Sequence, residues 1–81
     1  MARGDDFARR IRLLRTLLLS SGGKTAAMLA DGLDIHIRTI YRDLDALQAA
    51  GFPVYTEQRG KESFWMVLQV GGVDGITKIL T

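Results

Sequence analysis

The chain has no cysteine, and only one histidine and one proline, in 81 residues. A disulfide is therefore impossible, and a thiolate zinc site has no ligands. Domains this small are marginal without such staples, so helix packing or a second copy of the chain has to supply the stability. Long apolar runs are missing too: none exceeds five residues (Ala26–Ala30 and Phe64–Leu68), far short of the roughly 20 that cross a bilayer. The opening Met-Ala-Arg-Gly-Asp-Asp lacks the apolar core of a signal peptide, so the sequence reads as a single cytoplasmic domain with no membrane partner. An excess of one charge sign is also lacking. Eleven Lys and Arg against nine Asp and Glu leave a net charge of +2, so the placement of charges has to carry any functional argument.

What is present is organised by period. Phe7, Ile11, Leu14 and Leu18 recur at four, three and four residues, which predicts a helix with one apolar stripe, capped by Asp5 or Asp6 and running to about Leu19. Ser20-Ser21-Gly22-Gly23 ends it. Thr25 suits the N-cap of a short helix from Ala26 to about Gly32, whose Met28 and Leu29, with Leu33 just beyond, offer apolar contacts. After Asp34-Ile35-His36, the residues Ile40, Leu44 and Leu47 define a third helix over about Ile37 to Ala50, stopped by Gly51-Phe52-Pro53. Beyond Pro53 the period becomes two. Val54 to Glu57 and Ser63 to Leu68 flank polar Gln58 to Glu62 as a β-hairpin, with Phe64, Met66, Leu68 and Val70 on one face and Trp65 and Val67 on the other. The expected fold class is mostly α with a C-terminal hairpin, in the element order of a winged helix-turn-helix of three helices plus wing. The expected domain is 5–70, with 71–81 as linker or tail.

At about 100° per residue, Arg38, Arg42, Asp45 and Ala49 face away from the apolar stripe of the third helix, with Thr39 and Tyr41 on its flanks. Two arginines four apart repel by about 0.2 to 0.5 kcal/mol in an isolated helix, and a polyanion reverses that sign. The alternative is a solvated face on which Asp34 pairs with Arg38 and Asp45 with Arg42. Arg59 and Lys61 around Gly60 make the hairpin tip basic, although Glu57 and Glu62 flank it, and Lys24 with Thr25 at the start of the second helix adds a phosphate contact.

Arg38-Thr39-Ile40-Tyr41-Arg42-Asp43-Leu44-Asp45-Ala46-Leu47, followed by Ala50-Gly51-Phe52-Pro53-Val54, resembles the N-terminal winged helix-turn-helix of DeoR-type bacterial transcriptional regulators, in the branch that carries a C-terminal WYL domain. Arg12-Leu13-Leu14 and Thr25 to Ala30 also fit, so the resemblance covers roughly residues 7–68. It implies binding to double-stranded operator DNA, with Arg38, Thr39, Tyr41 and Arg42 on the reading helix and the hairpin as wing. It also implies that any effector ligand is bound by a domain absent from these 81 residues. Departures occur at the turn, where Leu33-Asp34-Ile35-His36 stands in place of the usual Leu-Gly-Val-Ser, and at Ile37, where a polar or basic residue is usual. Asp enters the left-handed region at some cost. His36 is a poorer N-cap than Ser, which offers Asp34 as the cap instead and leaves His36 to touch a phosphate. Ile37 either contacts a thymine methyl or shifts readout to later positions.

Other chemistries find little support. Gly22-Gly23-Lys24-Thr25 resembles the end of a phosphate loop, but the required earlier glycine is Leu18. The lone His36 anchors neither a metal site nor a triad, and Asp43 and Asp45 diverge on a helix. Trp65 reads as core more than as a base-stacking ring. The expectation is no enzyme, no cofactor and no metal. The protein is expected to bind duplex DNA as a homodimer, because paired half-sites multiply affinity. A winged helix used for protein association, through Ile37, Trp65 and the apolar tail, is the alternative.

Overall fold

The computed structural model describes residues 2–68. Helices α1 (Ala2–Leu19), α2 (Ala26–Leu33) and α3 (Ile37–Ala49) precede an antiparallel hairpin of β1 (Val54–Arg59) and β2 (Glu62–Val67). This is a winged helix-turn-helix with the expected element order. The sequence-predicted tail, 71–81, and Val70 lie outside the described residues.

Local chemistry sets the boundaries. The Thr25 hydroxyl accepts the Met28 N–H at 3.1 Å and caps α2. At the other end Asp34 adopts φ 55°, and the Ile35 N–H closes on the Ala30 carbonyl at 2.9 Å, so α2 stops through a left-handed residue that is not glycine. Asp34 is thereby spent on ending α2. The cap of α3 is His36, whose Nδ1 accepts the Arg38 N–H at 3.1 Å, and this corrects the expectation that Asp34 would cap that helix. Helix α3 ends where Gly51 takes φ 99° and the Phe52 N–H reaches the Leu47 carbonyl at 3.1 Å.

The core joins Leu13 and Leu17 of α1, Ala26 and Leu29 of α2, Ile40, Leu44 and Leu47 of α3, and Val54 and Val67 of the hairpin. The α3 stripe is the expected one. On α1 the buried face is rotated from the expected stripe: Leu13 and Leu17 are fully buried, Leu14 and Leu18 pack at the margin, and Phe7 is 68% exposed with Ile11 also outside. Helix α1 carries two overlapping apolar stripes, and the one that can also present Arg9 and Arg10 to α3 is the one that packs. Asp5 and Asp6 lie inside α1 and do not cap it. Met28, expected to make apolar contacts, is exposed.

Asp43 of α3 is the buried charge in this core, with its side chain at 0% exposure. Arg9 donates to it through both Nε and Nη2, the latter at 2.7 Å, and Arg10 Nε donates at 3.0 Å. Arg9 Nη1 turns back to Asp6 at 2.9 Å. Burial alone would raise the Asp43 carboxyl pKa, but the hydrogen bonds from Arg9 and Arg10 outweigh it and hold the carboxyl below its usual value; the Asp43 bond in turn raises Arg9.

The loop between α1 and α2 lies along the hairpin edge. Lys24 and Trp65 exchange both backbone hydrogen bonds, Lys24 N–H to Trp65 O at 3.1 Å and Trp65 N–H to Lys24 O at 2.7 Å. Gly23 makes this approach possible: it sits at φ 82°, and a Cβ there would stand 2.7 Å from Met66 Cγ and 2.8 Å from the Trp65 carbonyl oxygen. In the hairpin, Val54 pairs with Val67 and Arg59 with Glu62. Gly60 (φ 63°) and Lys61 form a two-residue turn with glycine at the first central position, as a type II′ turn requires.

Removing the Asp43 carboxylate leaves two cations facing a buried gap. Asp43→Ala is expected to destabilise the fold by about 3 kcal/mol, at the low end for a broken buried pair because both guanidiniums still reach solvent. Because the folded carboxyl lies below its unfolded value of about 3.9, its contribution is fully present above that value and is lost as pH falls through the lowered folded value. Thermal melts from pH 7 to pH 2 should show this acid limb in the parent and a shallower one in Asp43→Asn. Asp34→Gly should raise stability by about 0.5 to 1 kcal/mol, read as a shift in urea midpoint, by relieving the left-handed strain.

Candidate nucleic-acid interface

Burying Ile40, Asp43, Leu44 and Leu47 leaves the opposite side of α3 to solvent. Arg38 and Arg42 lie there, one turn apart and exposed. Among the described residues neither guanidinium has a carboxylate within ion-pairing distance, so the expected alternative pairs Asp34 with Arg38 and Asp45 with Arg42 do not form. Two uncompensated cations on one helix face repel, and a row of phosphates or guanine edges would satisfy them. Thr39 is half-buried on the flank.

Toward the wing, Tyr41 is 49% exposed, and its ring meets Trp65 edge-to-face at 6.4 Å and 70°. Trp65 is half-buried and packs against the core, as the sequence suggested. It therefore couples the wing to the outer face of α3. Ile37 opens α3 at 40% exposure. His36, exposed, uses Nδ1 for the cap, and no hydrogen bond to its Nε2 is formed among the described residues.

The other expected contacts divide. Lys61 sits in the hairpin turn, exposed, and has no carboxylate partner among the described residues. Arg59 is the last residue of β1, and it folds back: Nη2 pairs with Glu57 Oε1 at 2.6 Å, and Cζ stacks 4.5 Å from the Phe64 ring centroid. Its Nη1 also comes within 3.9 Å of the position a Gly22 side chain would take. Arg59 is thus largely occupied inside the molecule, and Lys61 is the freer cation of the wing. Lys24 is half-buried with its backbone tied to Trp65. Thr25 is buried and its hydroxyl is consumed by the cap, so its side chain has little left to offer a ligand.

Sequence reasoning missed Asp43 as the residue that fixes this face. The signal was present: Asp43 lies three residues from Ile40 and four from Leu47, on the buried side of the wheel, and two consecutive arginines in α1 are suitable partners. The described residues hold no cluster of three or more groups able to bind a metal ion, and no helix among them is long and apolar enough to cross a membrane.

A short helix, a left-handed turn and a second helix with an outward basic face, followed by a hairpin, define a winged helix-turn-helix protein. Residues 9–60 match the HTH domain family, and the chain belongs to it. The uncharacterized HTH-type transcriptional regulator YobV of Bacillus subtilis (strain 168) is 39% identical over 49 residues, which make up 60% of this chain and 16% of that relative. In fold the chain is similar to the homodimeric winged helix-turn-helix DNA-binding domain of Mb0332 from Mycobacterium bovis, solved by NMR, with a TM-score of 0.68 at 18% identity, covering 95% of this chain and 72% of that one.

If Arg38 and Arg42 take no part in holding the fold, alanine at either should leave the unfolding free energy within about 0.5 kcal/mol of the parent, with a small gain from relieved repulsion. Urea unfolding by circular dichroism measures this, and a loss of 2 kcal/mol or more would show that they serve the core.

Proposed function

We propose that this chain is the DNA-reading module of a bacterial transcriptional regulator, binding duplex DNA sequence-specifically with α3 in the major groove and the β1–β2 wing on the backbone or minor groove. The observation that carries the proposal is the pair of guanidiniums, Arg38 and Arg42, exposed and without an ion-pair partner among the described residues, on the outer face of the second helix of a helix-turn-helix. Tyr41 and Thr39 flank them, Lys61 supplies the wing cation, and Lys24 and His36 stand at the edges for phosphate contacts. The name of YobV as a transcriptional regulator and the DNA-binding function stated for the Mb0332 domain support the same reading.

The finer assignment is to the DeoR-type regulators with a WYL domain, on the strength of the Arg38 to Leu47 run and Gly51-Phe52-Pro53-Val54. The chain spans 16% of YobV, and an effector-sensing part lies, in this reading, outside these residues. The module acts in the cytoplasm as a homodimer on paired half-sites, as the Mb0332 domain is a homodimer. Phe7 and Ile11, exposed on α1, offer apolar area for a second copy. No catalytic step is assigned, since the exposed groups form a binding face without a paired acid and base.

A duplex selected from a random pool provides the test, with affinity measured across salt concentration. Arg42→Ala should cost about 1 to 3 kcal/mol on the selected duplex and relax selectivity, while Lys61→Ala should weaken all duplexes alike and reduce the salt slope by about one. Unchanged affinity in Arg38→Ala/Arg42→Ala would refute the assignment.

A further inference from the structure

Beside the arginines lies a surface that phosphate binding does not explain. Ile37 and Tyr41 stand one helical turn apart on the same side of α3, each more than a third exposed. Together with Ala26 and Ala27 of α2 they form the apolar lining of a groove of about 280 Å³, to which Thr25 also contributes and which Lys61, Glu62 and Ser63 of the wing border. Both large side chains are held in place. Ile37 is a β-branched residue at the first position of α3, directly behind the His36 cap, with few rotamers open to it. Tyr41 is braced by the Trp65 ring. The neighbouring Arg38, Arg42 and Lys61 make a polyanion the occupant that the charge pattern fits. On the base edges of a major groove, the apolar feature available to such side chains is the C5-methyl group of a pyrimidine.

We infer that Ile37, backed by Tyr41, is a specificity-determining residue that reads a pyrimidine C5-methyl group adjacent to the bases reached by Arg38 and Arg42. The inference rests on the DNA-binding reading given above and adds to it what kind of site the helix selects. The guanidiniums recognise acceptors on guanine, and the apolar pair demands a methyl group close by. The methyl group belongs to thymine or to 5-methylcytosine.

The test uses the whole chain and its best duplex from a random-pool selection. Each thymine in that duplex is replaced in turn by deoxyuridine, which removes the methyl group and leaves the pairing edge intact. At one position in each half-site the exchange should weaken binding about fourfold, the effect of one buried methyl group. Ile37→Ala should abolish the thymine-over-uracil preference at that position, whereas Lys61→Ala should weaken binding and retain it. Ile37 lies outside the core, so an unchanged melting temperature is expected to accompany the variant. At the same position, cytosine and 5-methylcytosine separate the two sources. A gain from methylation there means the methyl group is read on either pyrimidine, and a gain with thymine alone assigns it to thymine; both results support the inference. Equal affinity for thymine and uracil at every position of a duplex that is still bound selectively overturns it while leaving the DNA-binding reading intact, as does a preference that survives in Ile37→Ala. Absence of duplex binding at low salt overturns both.

Discussion

The carboxylate of Asp43 is the point on which the orientation of α3 depends. It is fully buried and accepts from both Arg9 and Arg10 of α1. A single buried ion in a core of this size would be costly, but three donated hydrogen bonds and two partly solvated cations offset that cost. Hydrogen bonds to a fixed carboxylate are directional in a way that leucine packing is not. The ion group therefore sets the rotation of α3 about its own axis as well as its distance from α1. With Asp43 turned inward beside Ile40, Leu44 and Leu47, Arg38 and Arg42 face outward, because helical geometry sets them opposite that buried stripe.

The second constraint comes from the wing. A two-stranded hairpin on its own is marginal in water, and here it gains a third partner in the backbone of Lys24, made possible by the close approach at Gly23. Trp65 then serves two neighbours at once: its backbone holds the α1–α2 loop, and its ring meets Tyr41 on α3. The turn of the wing, the start of α2 and the start of α3 are brought to one groove by these contacts. Binding surfaces built this way draw their residues from segments far apart in sequence, positioned by a rigid scaffold behind them.

Element types and most boundaries were legible in the residues. Thr25, Gly51 and Gly60 act where their chemistry says they should, and the Ile40, Leu44 and Leu47 stripe gave the correct orientation of α3. Helix α1 was harder. Leucines at 13, 14, 17, 18 and 19 allow more than one apolar face, and the helical spacing of Phe7, Ile11, Leu14 and Leu18 marks the wrong one as core. The basic residues of the wing look equivalent in sequence, yet Arg59 is paired with Glu57 and stacked on Phe64 while Lys61 has no ion-pair partner among the described residues.

Three helices, the Thr25 cap, the turns at Gly51 and Gly60, a hairpin, and a third helix with a basic outer side were readable along the chain, because those follow from interactions among residues a few positions apart. Packing between distant segments settled which face of α1 is buried, which aspartate becomes the internal counterion, which wing cation stacks on Phe64, and that Ile37 and Tyr41 share a groove with the start of α2. Each of these depends on which groups from distant segments compete for the same space and the same partners, and periodicity along one segment does not record the outcome of that competition.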